Sequence, residues 1–123
     1  MTNKRLSLGK KGEELAIAHL QKLKYKILEK NYQCPLGEMD IIARDGDTLV
    51  FVEVKTRSTK DFGGPAAAVN EKKQRQLSKV ALSYLNRKKL FDVPARFDVV
   101  AVELIASFPR IEVIRNAFEL SFN

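Results

Sequence analysis

Residues 37–57 read GEMDIIARDGDTLVFVEVKTR, and this stretch decides the fold. Two largely apolar runs flank the pair Asp45-Gly46, where glycine supplies the positive φ that a tight type I′ turn requires. The stretch therefore predicts a β-hairpin, with strands over residues 37–44 and 48–56 and a two-residue turn between them.

Charged side chains interrupt the apolar pattern of the second strand. Side chains alternate between the faces of a strand, so the three valines at 50, 52 and 54 fall on one face, and Phe51, Glu53 and Lys55 share the other. Charges in an apolar strand are costly to bury unless they pair or hold a metal. The alternative is a solvent-facing salt bridge on an edge strand, and Phe51 on the same face argues against it.

The hairpin brings a second acid to this face. If the turn is limited to two residues, Asp40 lies opposite Phe51 and diagonal to Glu53, on its face. A change of register by one residue would move Asp40 to the other face. Two converging carboxylates are natural ligands for Mg²⁺, and Lys55 beside them can stabilise phosphate charge or help to deprotonate a water. The hairpin predicts a metal-dependent site for phosphodiester cleavage.

Two helices and three further strands are predicted outside the hairpin. Apolar residues at helical spacing indicate helices over residues 7–24 and from Asn70 to about residue 89, with Ser7 and Asn70 as N-caps. Gly63-Gly64-Pro65 and a turn near residues 107–109 indicate loops. The other strands are predicted over residues 25–32, 96–103 and 111–115. This order predicts an α/β fold, a mixed sheet with helices packed on it, in a single domain over residues 1–123.

Each helix carries a charged residue on its apolar stripe. Glu13 projects from the centre of the first stripe, so it either joins the carboxylate cluster or serves the helix dipole. Lys73 lines up with the second stripe and either reaches the same site or a phosphate, or snorkels from the edge of the core. The other bases of the second helix and its end indicate a solvated face or a patch that contacts a phosphate backbone: Lys72, Arg75, Lys79, Arg87, Lys88 and Lys89.

Composition narrows the class of protein. Lys and Arg number 22 against 15 Asp and Glu, and this net charge of +7 favours a polyanionic partner. Cys34 is the only cysteine, so no intrachain disulfide can form and a cytoplasmic location is expected. No stretch approaches the ~20 apolar residues of a membrane span, and residues 1–11 lack the apolar run of a signal peptide. No membrane association is expected.

The wider pattern resembles a family of nucleases. Asp40, followed thirteen residues later by Glu53-Val54-Lys55, is similar to the PD-(D/E)xK signature, with Met39 in place of its proline. Further motifs make the chain similar to the YraN-type family of predicted bacterial endonucleases, which is distantly similar to archaeal Holliday-junction resolvases. These motifs are Gly9, Gly12-Glu13, Asn31, residues 37–43, residues 51–57, Lys73 and residues 96–100.

The resemblance implies a restriction-endonuclease-like fold, with a central mixed β-sheet flanked by α-helices. It implies metal-ligand roles for Asp40 and Glu53, a catalytic role for Lys55, and a site role for Glu13 as an additional ligand or base. Lys73 and Arg57 are expected to hold phosphates. The expected function is a Mg²⁺- or Mn²⁺-dependent endonuclease acting on DNA, with branched or damaged DNA as candidate substrates.

Other interpretations stay open from the sequence. One is a non-catalytic nucleic-acid-binding module derived from a nuclease fold, and another is a purely structural salt-bridge cluster. A pure binding role gives no reason for carboxylates that face DNA, because they repel phosphate unless a cation intervenes. RNA as the substrate and assembly into a homodimer, as in the resolvases, are also left open.

Overall fold

The computed structural model describes residues 4–58, 69–104 and 108–120, with side chains from Leu8 onward. Helix α1 spans Lys4–Lys22 and helix α2 spans Glu71–Lys88. The strands are β1 (Lys26–Cys34), β2 (Gly37–Asp45), β3 (Thr48–Arg57), β4 (Ala95–Glu103) and β5 (Arg110–Phe118). The predicted order of one helix, three strands, one helix and two strands is confirmed. The loop predicted at Gly63-Gly64-Pro65 lies outside the described residues.

The five strands form one sheet in the order β1-β2-β3-β4-β5. Neighbouring strands are antiparallel except β3 and β4, which run parallel. Parallel neighbours need a long crossover connection, and α2 lies in the connection between these two strands. The sheet is therefore mixed, and the α/β architecture is confirmed and consistent with a restriction-endonuclease-like fold.

The helices pack against separate apolar layers on the sheet. Val50 and Val52 are buried in the layer that includes Ala16 and Leu20 of α1. Phe51 is buried in the other layer, which includes α2. The predicted alternation along β3 is confirmed, and burial on both faces explains why this strand reads as a nearly continuous apolar run. No helix in the described part of the chain is long and apolar enough to cross a membrane.

The helix caps match the prediction at one helix only. Asn70 is the N-cap of α2, and its side-chain oxygen accepts a hydrogen bond from the Lys73 backbone N–H at 2.8 Å. The Ser7 prediction is wrong, because α1 already begins at Lys4 and Ser7 lies inside the helix. Residues 4–6 are Lys, Arg and Leu, which favour helix and contain no breaker, so the helix extends through them.

The hairpin turn lies one residue later than predicted. Asp45 pairs with Thr48, so the two loop residues are Gly46 and Asp47. Gly46 has φ +61°, whereas Asp47 has no positive φ, which is the placement of glycine in a type II′ turn rather than type I′. Asp45 stays in the strand because its carboxylate accepts a hydrogen bond from Arg96 Nη2 at 2.7 Å. The prediction that Asp45 and Gly46 form the two-residue loop is wrong.

This correction moves the strand register by two residues. Ile42, rather than Asp40, lies opposite Phe51. An even shift leaves every side chain on the face that was predicted for it, since strand side chains repeat every two residues. Asp40 and Glu53 are the next residues beyond the last paired positions, Ile41 and Val52.

Candidate active site

The candidate site lies where β2 and β3 part. Regular pairing of these strands ends at Ile41 and Val52. Just beyond that point, the Val54 backbone N–H donates a hydrogen bond to Asp40 Oδ2 at 2.8 Å. The Asp40 side chain thus takes the place of a strand partner, and its carboxyl group lies close enough to that of Glu53 for each to shift the pKa of the other. The structure brings together the two acids that the sequence singled out.

Burial and mutual repulsion shift the pKa values of this pair. Burial raises the pKa of Asp40, against the opposing effect of the hydrogen bond from Val54. Burial and then the negative charge of Asp40 raise the pKa of Glu53 to about 8, and the nearby Lys73 opposes this rise. The pair therefore retains a proton at neutral pH that isolated carboxyl groups lose. A bound divalent cation would displace that proton.

The raised pKa of Glu53 predicts that the metal-free protein loses stability as pH rises. The folded state keeps a proton that the unfolded chain releases, so stability declines between the ordinary Glu pKa of 4.5 and about 8. In EDTA, we expect the free energy of unfolding in urea to fall by more than about 1 kcal/mol across this window. Glu53→Gln should lose most of that decline. Wild type and Glu53→Gln with parallel pH profiles would contradict this assignment.

Two lysines surround Glu53. Lys73 Nζ, reaching in from the first turn of α2, lies 3.7 Å from Glu53 Oε2. Lys55 lies two residues along β3 on the same face, and its charge lowers the pKa of Glu53. Lys55 lies on the face of Glu53, as the strand alternation predicted. Lys73 reaches this site, which was one of the alternatives for it. Arg57, the last residue of β3, is half-buried at the same end of the strand.

Glu13 approaches Asp40 from α1. Together with Asp40, Glu13 lines an open cavity of about 380 Å³ between the start of α1 and the end of β3. Burial and the charge of Asp40 raise the pKa of Glu13, and a hydrogen bond with Asn31 lowers it. Asp40 therefore contacts Glu53 and also shares a cavity with Glu13.

The donor set fits one kind of metal. In residues 4–58, 69–104 and 108–120, no three or more His, Cys, Asp or Glu side chains form a group that could hold a metal ion. Glu13 thus stands beside the Asp40–Glu53 pair rather than in a compact group of three. Two carboxylates suit Mg²⁺ or Mn²⁺, because Mg²⁺ typically keeps several waters and takes further oxygens from substrate phosphates. Zn²⁺ sites are usually built with His nitrogen or Cys sulfur ligands, which this pair does not offer.

Two residues that carried no predicted role position Glu13. A Cβ atom on Gly12 would overlap Thr56 Oγ1, so only glycine lets α1 lie this close to β3. Asn31 adopts φ +50° within β1, between residues that pair with Ile41 and Met39, and therefore lies opposite Asp40. The sequence signals were the presence of Gly12 and Asn31 among the motifs of the resemblance and an asparagine inside a strand, since Asn tolerates the left-handed region better than most residues.

The motif at residues 96–100 does not join the site. Asp98 is fully buried and accepts hydrogen bonds from Tyr25 Oη at 2.9 Å, Arg96 Nε at 2.9 Å and the Asn116 backbone N–H at 3.0 Å. Arg96 also binds Asp45. This Asp98 network ties β4 to the turn of the β2–β3 hairpin, at the end of the sheet away from Glu53.

Comparison with known proteins gives consistent matches. The model of an uncharacterised protein family, UPF0102, matches residues 12–102. A UPF0102 protein of Geobacter sulfurreducens is 56% identical over 116 residues, covering 94% of this chain and 91% of the relative. A UPF0102 protein of Geobacter metallireducens is 53% identical over 94% of this chain and 95% of its own length. One from Thermodesulfovibrio yellowstonii is 49% identical, with coverages of 93% and 97%.

Proposed function

The chain belongs to the uncharacterised protein family UPF0102, and from this starting point we propose that it is a metal-dependent endonuclease that hydrolyses phosphodiester bonds in DNA. We also propose that it is a member of the PD-(D/E)xK nucleases, distantly related to archaeal Holliday-junction resolvases, and acts in the cytoplasm. The observation that carries the proposal is the adjacent pair of Asp40, held by the Val54 backbone N–H at 2.8 Å, and Glu53, with Lys73 Nζ 3.7 Å from Glu53.

Asp40 and Glu53 would hold Mg²⁺ or Mn²⁺ through their carboxylate oxygens. A divalent cation held there supplies Lewis-acid polarisation of the scissile phosphate. Lys55, on the same face as Glu53, would orient the attacking water and neutralise the charge that develops on the phosphorus oxygens. Lys73 offsets the charge of Glu53 in the metal-free protein and would turn to a phosphate once a cation takes over that role.

Glu13 and Arg57 would complete the chemistry from either side of the pair. Glu13 would accept a proton from the attacking water, and the rise of its pKa above the ordinary value makes it a better proton acceptor. Its position beside Asp40 in the shared cavity puts it within reach of a water at the proposed metal. Arg57, at the end of β3, would hold a neighbouring phosphate by a bidentate contact.

A binding module without activity is the main alternative. Such a module needs the positive charge of the surface but gains nothing from a half-buried carboxyl pair. Placing two acids side by side away from solvent costs stability, in line with the raised pKa values of Asp40 and Glu53. This cost favours a cation-binding role over decay to simple binding.

A cleavage assay with defined substrates tests the proposal. Purified protein is incubated with end-labelled linear, flapped, gapped and four-way DNA in Mg²⁺, Mn²⁺ or EDTA. We expect nicking of at least one substrate with either metal and none in EDTA, with branched DNA preferred. DNA that is bound but left intact in every metal condition would contradict the proposed activity and support the binding module. An RNA copy of the preferred substrate tests the choice of DNA.

A further inference from the structure

Helix α2 concentrates the positive charge of the protein. Its 18 residues contain six bases and a single acid, Glu71, in a chain whose net charge is +7. One of these bases, Lys73, forms an ion pair with Glu53 at the candidate site. The remaining bases divide into two groups at opposite ends of the helix, and these groups differ in their structural roles.

The bases at the carboxyl end have structural roles. Arg87 donates a hydrogen bond to Tyr32 Oη at 2.9 Å, and Lys88 lies over the ring of Tyr84. Cations also interact favourably with the negative end of the helix dipole. The fold itself therefore explains why basic residues stand in the last turn of α2.

The bases of the first half, Lys73 apart, have no such role within the described residues. Lys72, Arg75 and Lys79, named here the α2 basic face, follow one another at spacings of three and four residues. They lie on the side of the helix opposite buried Leu77 and Ala81, where Lys72 and Lys79 are exposed and Arg75 is half-buried. The ion pairs formed in the described part of the chain include none of these three side chains.

This face lowers the stability of the helix. Like charges three or four residues apart repel one another, and each such pair destabilises an isolated helix. Lys72 and Arg75 also lie near the positive end of the helix dipole, where cations are unfavourable. Glu71 is the only acid in the helix that can offset them. The unfavourable clustering of charge points to a ligand that brings its own negative charge.

Position identifies the ligand as a phosphate backbone. Lys72 is adjacent to Lys73, so the α2 basic face begins at the candidate site. At 1.5 Å per residue the face extends about 10 Å, or about three steps of a duplex at 3.4 Å each. Binding of single strands without sequence preference commonly relies on exposed aromatic rings that stack on bases. The only aromatic residue of α2, Tyr84, is buried, which favours a duplex.

We propose that the α2 basic face binds the phosphate backbone of a DNA duplex beside the strand that the Asp40–Glu53 pair would cut. The inference rests on the proposed function for the identity of the polyanion. It adds that the substrate is double-stranded along α2 on one side of the cut. Lys72, Arg75 and Lys79 would fix the position of the duplex without reading its sequence.

A pair of matched triple variants tests this surface. The test variant is Lys72→Gln, Arg75→Gln and Lys79→Gln. The control removes two lysines and one arginine from exposed positions near the far end of α1 and on β1 and β2, as Lys22→Gln, Lys26→Gln and Arg44→Gln. Both lose the same net charge. Dissociation constants for a 20-base-pair duplex, for one of its single strands and for anionic lipid vesicles are measured in EDTA across a salt series.

The test variant is expected to bind the duplex at least about tenfold more weakly than the control near 0.1 M salt. The plot of log K against log salt should become less steep in the test variant, its slope changing by about two to three. That change is close to the value expected when three phosphate contacts are lost. Its thermal stability should match or exceed that of wild type, because repulsion is removed. Single-strand binding should change less than duplex binding.

Equal losses in the two variants, or a loss confined to the single strand or to the vesicles, would overturn the inference. The assay contains no metal, so its outcome is independent of cleavage. Normal duplex binding by the test variant, with an active wild type, refutes the α2 basic face and leaves the nuclease proposal standing. Lost duplex binding with an inactive wild type supports the face and refutes the nuclease.

Discussion

Asp40→Asn is expected to lower the rate of metal-dependent DNA cleavage by at least about a hundredfold, while the protein stays folded. Asparagine keeps an oxygen that can accept the hydrogen bond from the Val54 N–H, so the parting of β2 and β3 is preserved. It removes the negative charge that a divalent cation requires. Single-turnover kinetics measure the loss of cleavage, and calorimetric titration with Mn²⁺ measures the loss of metal affinity. Both losses should be large.

Lys55→Ala should separate metal binding from chemistry. Lys55 is a positively charged side chain rather than a metal ligand, so Lys55→Ala should bind Mn²⁺ as wild type does. Its cleavage rate should fall about as much as that of Asp40→Asn. Asp47→Asn is the control for both variants, since Asp47 is an exposed acid in the hairpin turn at the other end of β3.

A wild-type cleavage rate in Asp40→Asn would remove Asp40 from the active site. Wild-type Mn²⁺ affinity in that variant would remove it from the metal site.

Asp98→Asn is expected to destabilise the fold by about 3 to 5 kcal/mol, the usual cost of removing one partner from a buried ion pair. Asp98 is fully buried, and its two oxygens accept hydrogen bonds from Tyr25, from Arg96 and from the Asn116 backbone. An amide in the same place cannot balance the charge of Arg96 and turns an acceptor into a donor. Urea unfolding monitored by circular dichroism measures the change.

A second acid on the same arginine provides the control. Asp45 accepts a hydrogen bond from Arg96 Nη2 at 2.7 Å, but its side chain is 32% exposed. Solvent screens this pair, so Asp45→Asn should cost no more than about 1 kcal/mol. Equal effects of the two substitutions would show that burial of Asp98 does not determine its contribution. Neither substitution touches the carboxyl pair, so Mn²⁺ affinity of the folded protein should be unchanged in both.

Local patterns were sufficient to predict the sheet and the carboxyl pair. Apolar alternation in β3 identified Glu53 and Lys55 as unusual, because a strand buried on both faces leaves few explanations for adjacent charges. The expected convergence of Asp40 on Glu53 survived an incorrect turn, because the register error was two residues and face depends on parity alone. An error of one residue would have separated the two acids.

Long-range contacts account for what the sequence did not predict. The turn moved because Arg96, 51 residues away, holds Asp45 in the strand. The hydrogen bonds of Asp98 could not be predicted for the same reason, since the one from Tyr25 joins residues 73 positions apart. The positioning of Glu13 depends on Asn31 and on the close approach of Gly12 to Thr56, and neither leaves a periodic pattern. Propensity and periodicity describe neighbours along the chain, whereas these contacts join distant elements.

The register of the sheet also sets an order of assembly. Asp40 and Glu53 belong to one antiparallel hairpin, so a short loop is enough to bring them together, and closing a short loop costs little entropy. The parallel pairing of β3 with β4 must wait for the whole of α2 to cross the sheet, and such distant pairings form slowly. The acids are therefore expected to meet early during folding, before the bond between Tyr25 and Asp98 closes the far end. A chain emerging from the ribosome would present this acidic hairpin before the basic helix that follows it.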